Sequence, residues 1–353
     1  MSAQEQDKSA ARMNFTSDNA YGAAPEILEA LAEANTGAAT SYGEDEITAA
    51  VQRRFSEVFE RDVAVYPVLT GTAANGLALS TLAPPYGAIF CHEESHIAVD
   101  ECGAPEFFSG GARLVSLPAA SGKITPQIIK SMLPLYRRGV HSPKPSVISI
   151  TQATERGTVY SADEIETLAR LASREGMGLH MDGARFANAV AFLGCTPAEI
   201  TWKAGVEVLS FGASKNGALC AEAVVFFDRA MALDFEYRRK RAGHLISKMR
   251  FVSAQLLAYL RNERWLEWAR RANTLAQNLA CELSASRDAQ VAEPPEANEV
   301  FAYLTNARVK ALRAAGVQFY DWEKAGDRTL CRFVLSSLTP NEDITKLVKL
   351  VQS

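Results

Sequence analysis

The chain has 353 residues, 48% of them hydrophobic, which is ample for a large core and two lobes. A net charge of −4 with dispersed basic residues leaves no track for a nucleic-acid backbone. No segment approaches the ~20 apolar residues of a membrane span, and the polar start from Met1 to Arg12 lacks the apolar stretch of a signal peptide.

Six cysteines (Cys91, Cys102, Cys195, Cys220, Cys281 and Cys331) stand among apolar neighbours without CxxC spacing. They are expected to be reduced core residues of a cytoplasmic protein, with no nucleic-acid or membrane partner. Residues 1–13 are expected to form a disordered tail, 14–260 a large domain that includes the N-terminal segment, and 261–353 a small domain.

In chain order, Pro25 opens a short helix to about Asn35, with Ile27, Leu28 and Leu31 on one face. A second helix spans about Glu46 to Phe59, marked by Ile47, Val51, Phe55 and Val58. Seven apolar runs then alternate with helical stretches: Val63–Leu69, Ala88–Cys91, Arg113–Leu117, Ser146–Thr151, Gly178–Asp182, Val206–Phe211 and Ala223–Phe227. One helix between them is clearly signalled. Ser161 and Glu164 form a capping box, Ile165, Leu168, Ala169 and Ala172 an apolar face, and Gly176 the stop. Continuous apolar strands separated by helices predict an α/β fold with a mostly parallel sheet covered on both faces.

After Asp228 the pattern turns to long helices through about Ser286. Glu299–Leu304, Val317–Trp322 and Cys331–Ser336 then give a strand-rich end, closed by a helix capped at Thr339. Pro294-Pro295 is the expected joint into this smaller lobe.

Candidate chemistry begins at Lys215, where the strand Val206–Phe211 breaks into small residues. A desolvated lysine can act as an amine nucleophile. Asp182 ends the strand one crossover earlier and can hold a pyridinium nitrogen protonated. Alone, each is equally an ordinary surface lysine and a helix-capping aspartate. Together and in this order they are the minimum apparatus of a pyridoxal phosphate enzyme. Thr70-Gly71-Thr72-Ala73-Ala74-Asn75 follows a strand and opens a helix, a place where free N–H groups and the helix dipole favour phosphate.

His92-Glu93-Glu94-Ser95-His96 matches the zinc-protease pattern H-E-x-x-H, but that chemistry needs both histidines on one continuous helix. His92 follows the buried run Ala88–Cys91, so a strand end is expected there and no metal is assigned. A helix beginning near His96 should carry Ile97, Val99, Asp100 and Glu101. His96 fits an imidazole lying over a flat cofactor. The run Arg238–Arg241 reads equally as a solvated helix face and as a source of a phosphate-binding cation.

With these pieces in order, the chain resembles the threonine aldolase group of pyridoxal phosphate enzymes, in the aminotransferase-like fold (fold type I). Phe15-Thr16-Ser17-Asp18-Asn19 and Tyr42-Gly43-Glu44-Asp45 resemble the family's opening and tyrosine-glycine-acidic motifs. The resemblance implies Ser17, Arg185 and Arg332 as ligands of a substrate carboxylate. It implies Gly71, Thr72 and Ala73 at the cofactor phosphate, His96 stacked on the ring, and Asp182 at its nitrogen. Arg185 would also reach the phenolic oxygen, Lys215 would carry the cofactor, and Arg250 would reach a phosphate across a subunit boundary. Many relatives keep a second histidine where this chain has Thr154, so the catalytic base falls to His96, with water held by Gln152 or Glu155, or the cofactor phosphate, as the next candidate.

What the family implies is retro-aldol cleavage of a β-hydroxy-α-amino acid to glycine and an aldehyde, in a homodimer or homotetramer. The rival within the fold is a β-eliminating lyase or an aminotransferase. A regulator that binds the cofactor without catalysis is disfavoured by the short N-terminus, which leaves no room for a DNA-binding domain.

Overall fold

All seven apolar runs enter one sheet in the computed structural model, which describes residues 13–352. The strands are β1 (Ala64–Val68), β2 (Gly87–His92), β3 (Arg113–Leu117), β4 (Lys144–Thr151), β5 (Gly178–Gly183), β6 (Val208–Gly212) and β7 (Glu222–Phe226). Their spatial order is β1-β7-β6-β5-β4-β2-β3. From β6 through β5, β4 and β2 to β3 every pairing is parallel, whereas β7 runs antiparallel to both neighbours. Residues of β2, β6 and β7 are buried throughout, as strands covered on both faces must be.

Helices connect and cover these strands. Gly71–Leu82 packs against β5, β6 and β7, and Ala162–Glu175 against β4 and β5. The latter begins with the expected capping box at Ser161 and Glu164 and stops at Gly176 in the left-handed region. Phe211 on β6 is the hub of an aromatic cluster, meeting Phe55, Phe59, Phe186, Tyr259 and Trp265 at centroid distances of 5.0 to 6.4 Å. Edge and tilted contacts of this kind add to simple area burial.

The chain forms two units, Ala23–Trp268, which holds the seven-stranded sheet, and a smaller one of residues 13–22 and 269–352. The smaller unit has an antiparallel sheet in the order β10-β11-β9-β8, from β8 (Ala289–Val291), β9 (Glu299–Thr305), β10 (Tyr320–Ala325) and β11 (Arg328–Val334). The N-terminal segment belongs to this unit, although the sequence groups it with the large domain. Phe15 N–H donates to the Gln318 carbonyl at 2.8 Å, and Val334 N–H donates to the Phe15 carbonyl at 2.9 Å. Phe15 and Met13 are buried with Phe319, Phe333, Leu279 and Leu347.

Met13 is thus a core residue rather than part of a tail, and the rest of that expected tail, residues 1–12, lies outside the described residues. Pro294-Pro295 is not a joint between units. It lies in the loop between β8 and β9, which pair with each other. The run Val317–Trp322 enters the ladder only from Tyr320. All six cysteines are free, but only Cys91 and Cys331 are buried, and Cys102 and Cys281 are exposed. Among the described residues no helix is long and apolar enough to cross a membrane.

Candidate active site

Asp182 and Lys215 come together because adjacent parallel strands end side by side. Asp182 on β5 is in register with Ser210 on β6, and Gly183 with Phe211. Past the register both chains turn, and Gly212 lies so near that a Cβ there would sit 2.7 Å from the Ala184 carbonyl oxygen. Glycine is therefore required for the turn after Asp182 to meet the turn carrying Lys215. Lys215 lies in the 3₁₀ turn Ser214–Asn216. That turn is anchored by Asn216, whose Nδ2 donates to the Tyr259 hydroxyl and the Trp265 carbonyl, both at 2.8 Å. It is held from the other side by buried Glu222, whose Oε2 accepts from Ala213 N–H at 2.9 Å. Burial pushes the Glu222 carboxyl up to about 7.

Asp182 is only 3% exposed. Its carboxylate accepts from Ala184 N–H at 2.9 Å and from Asn75 Nδ2 at 2.7 Å. No lysine, arginine or histidine makes an ion pair with it among the described residues. A buried carboxylate held only by neutral donors suits a cationic partner, and a protonated ring nitrogen is one. Beneath it on the same strand, His180 is fully buried between the hydroxyls of Ser149 (2.9 Å) and Ser210 (3.0 Å). Burial pushes its imidazole down to about 4, so His180 stays neutral.

The Gly71–Leu82 helix starts beside this point. Thr70 caps it by accepting from Ala73 N–H at 3.2 Å. The N–H groups of Gly71 and Thr72 have no partner among the described residues, and a Cβ on Gly71 would meet nothing within 4 Å. That is an open helix N-terminus of the kind that binds phosphate. The same helix carries Asn75, which donates to Glu101 Oε1 at 2.8 Å as well as to Asp182.

His96 begins a helix of a single turn, His96–Val99. Asp100 and Glu101 therefore fall beyond its end rather than on it, and Glu101 folds back so that its Oε1 lies 2.8 Å from His96 Nδ1. The Glu101 side chain has no exposure, while that of His96 keeps 37%. The bond to Glu101 holds the His96 imidazole above its ordinary range, with burial and Lys215 opposing and Asp182 assisting. His92 ends β2 and bonds the Ala119 carbonyl at 3.0 Å. The two histidines thus share no helix, and no metal-binding group of His, Cys, Asp and Glu exists among the described residues.

The remaining carboxylate at this end of the sheet is Glu155. Its Oε1 accepts from His96 N–H at 2.8 Å and from the Thr151 hydroxyl at 3.0 Å, while its Oε2 is sealed from solvent without a partner. Burial, and then the Asp182 charge, pushes it up to about 7. Thr154, by contrast, is fully buried in a tight turn, its hydroxyl 2.7 Å from that of Thr158. The residue that reaches His96 is the next one along. Asn75 stands in the phosphate-loop motif and Glu101 on the expected His96 helix, but neither receives this role from the sequence, and Glu222 is not singled out. The only signal of the role is a polar residue inside an apolar stretch, and that does not name a partner.

The remaining expected residues sit on further elements. Arg185 is the buried residue preceding the Phe186–Leu193 helix. Arg250 starts the Arg250–Leu260 helix and donates to the Gly37 carbonyl at 3.2 Å. In the run 238–241, Arg239 is buried over the Tyr66 ring, so the face is not uniformly solvated. In the smaller unit, Ser17 caps the turn Asp18–Ala20. Arg332 on β11 reaches the carbonyl of the preceding residue, Thr16, at 3.4 Å, and lies over Tyr320 and Trp322 at about 5 Å. The fold thereby brings Ser17 and Arg332 close together.

A lysine turn, an aspartate without a cation and an open helix N-terminus, all at one end of a mostly parallel sheet, fit a phosphorylated pyridine aldehyde. The chain belongs to the beta-eliminating lyase family, whose model matches residues 14–307. It is 45% identical over 335 residues to a low specificity L-threonine aldolase of Pseudomonas aeruginosa, covering 95% of this chain and 96% of the relative. A second low specificity L-threonine aldolase, from a Pseudomonas species, is 46% identical over 90% of this chain and 92% of its own length. The solved structure of Leishmania major threonine aldolase superposes with a TM-score of 0.90 at 26% identity, covering 96% of this chain and 98% of that one.

Proposed function

We propose that this chain is a pyridoxal phosphate-dependent aldolase. It cleaves L-β-hydroxy-α-amino acids, among them L-threonine, L-allo-threonine and L-phenylserine, to glycine and an aldehyde. The observation that carries the reading is the buried Asp182 carboxylate, which has only neutral hydrogen-bond donors and is packed against the Lys215 turn. The identity to two threonine aldolases over at least 90% of the chain supports the same reaction.

Bound here, the cofactor supplies an electron sink for the charge left on Cα when the Cα–Cβ bond breaks. Lys215 supplies the amine that tethers it. Asp182 holds a proton on the ring nitrogen, and the Gly71, Thr72 and Ala73 end of the helix faces its phosphate. Arg250 serves the phosphate from a neighbouring subunit in a homodimer or homotetramer, and the enzyme acts in the cytoplasm. Ser17, Arg185 and Arg332 bind the substrate carboxylate, and so aim the bond that breaks. His96 accepts the β-hydroxyl proton at Nε2, the nitrogen opposite the Glu101 bond.

The deciding experiment is incubation of the protein and pyridoxal phosphate with DL-phenylserine. Glycine and benzaldehyde in equal amounts are expected. A keto acid with ammonia would replace the aldolase reading by β-elimination, and product-free substrate would remove both.

A further inference from the structure

Four side chains from separate parts of the chain form one hydrogen-bonded line: Asp182, Asn75, Glu101 and His96. Asn75 uses its single amide nitrogen twice, to Asp182 Oδ2 at 2.7 Å and to Glu101 Oε1 at 2.8 Å. Glu101 Oε1 then meets His96 Nδ1 at 2.8 Å. Asn75, Glu101 and Asp182 are each below 5% exposure, so water does not compete for these bonds. An amide nitrogen has only donors, which leaves both flanking carboxylates as acceptors. As a carboxylate, Glu101 has no proton of its own to give, so its Oε1 accepts from His96 Nδ1–H as well, and the lone pair of a neutral His96 is confined to Nε2.

From this line we propose that Glu101 is a positioning residue for the aldol cleavage, fixing the tautomer of His96 so that Nε2 takes the substrate proton. The assignment rests on the reading of His96 as base given above. When Nε2 is protonated, Nδ1–H stays on the ring and the positive charge faces the Glu101 carboxylate. A carboxylate behind an imidazole serves hydrolytic triads and metal-bound histidines in the same way. The charged and titratable groups that act on His96 are Glu101 at Nδ1, Glu155 at its backbone N–H, and Asp182 and Lys215 through space. Asn75 gives the line a second role. Its amide ties the Glu101 position to Asp182, so a change of charge at the cofactor's ring nitrogen is felt at the base.

The test follows deuterium exchange at the C2 position of each histidine by mass spectrometry, across pH, in the holoenzyme. Wild-type His96 should show a midpoint above the ordinary ~6.5. In Glu101→Gln that midpoint should fall by at least about one pH unit, because burial then acts without the opposite charge. His141 and His244 serve as internal references and should not move. Turnover of phenylserine by the same variant should drop roughly 10- to 100-fold with little change in KM. Glu101→Asp, which keeps the charge, should recover part of both and covers the case in which the glutamine variant does not fold. A His96 midpoint unchanged in Glu101→Gln, or at or below the ordinary value in wild type, overturns the proposal. If instead the midpoint falls while His96→Phe and Glu101→Gln both turn over within a few-fold of wild type, the pair stands and the assignment of His96 as base fails.

Discussion

The larger and smaller units hold their buried carboxylates in different ways. At one end of its sheet the larger unit buries Asp182, Glu101 and Glu222 and half-buries Glu155, and tethers them with amides, hydroxyls and a histidine rather than with arginines or lysines. The smaller unit presents a cation, Arg332, against two aromatic rings, a backbone carbonyl and the Glu299 carboxylate at 3.7 Å. A pocket rich in anions suits a protonated nitrogen, and a guanidinium steadied by rings suits a carboxylate. An amino-acid substrate and a pyridinium cofactor together present both kinds of charge.

Removing the nucleophile should have the greatest effect. Lys215→Ala is expected to lose on the order of 10⁴-fold or more in turnover, and borohydride reduction of the wild-type holoenzyme should fix the cofactor on Lys215. A label on another lysine would break the assignment of the chemistry to Lys215. Truncating the hub of its core comes next. Phe211→Ala should cost about 3–5 kcal/mol by urea denaturation, and a loss below ~1 kcal/mol would mean the aromatic cluster does not carry the sheet.

On the smaller unit, Arg332→Ala should lower kcat/KM roughly 10- to 150-fold, the equivalent of about 1.5–3 kcal/mol for a charge-assisted bond. Cofactor absorbance should be retained, which would separate the roles of the two units. Near-wild-type kcat/KM would take Arg332 out of substrate binding. Removing the Ser161 cap is a smaller change, and Ser161→Ala should cost about 1 kcal/mol by thermal melting.

The last prediction concerns pH. Glu155 titrates at about 7 when folded, above the usual carboxylate value of 4.5, so the folded state holds the extra proton between these values. Its contribution to stability is complete below about pH 4.5 and is lost as pH rises through about 7. Glu155→Gln should therefore flatten the decline in stability of the cofactor-free protein across that window. An unchanged slope would show that burial does not raise Glu155 in the folded protein.

Much of this was legible in the sequence because burial leaves a direct trace. Strands covered on both faces must be apolar throughout, so β2, β6 and β7 announce themselves, and Asp182 and Lys215 are visible as the polar residues where such runs stop. The capping box at Ser161 is local in the chain and equally clear. What was not legible depends on distant pairing. Asn75 finds Glu101 26 residues away and Asp182 107 away, and no spacing rule links them. Glu101 was expected on the His96 helix, but that helix ends after one turn, and its ending is what lets the carboxylate fold back. The short β8 and the place of Phe15 beside β11 are set by partners elsewhere in the chain. The proline pair misled because a rigid turn inside a sheet and a joint between domains look alike in sequence.

The pairing of Phe15 with Gln318 and Val334 has a bearing on how the chain is made. Ribosomal synthesis delivers the N-terminal segment first, yet its hydrogen-bonding partners emerge some three hundred residues later. Ala23–Trp268 is a contiguous stretch that can fold as soon as it is released, whereas the smaller unit must wait for residues 269–352. Closing so long a loop is entropically slow, although each doubling of its length adds only about 0.6 kcal/mol. During that interval Met13 and Phe15 lack the partners that bury them in the fold, and this segment is open to aggregation and to chaperone capture.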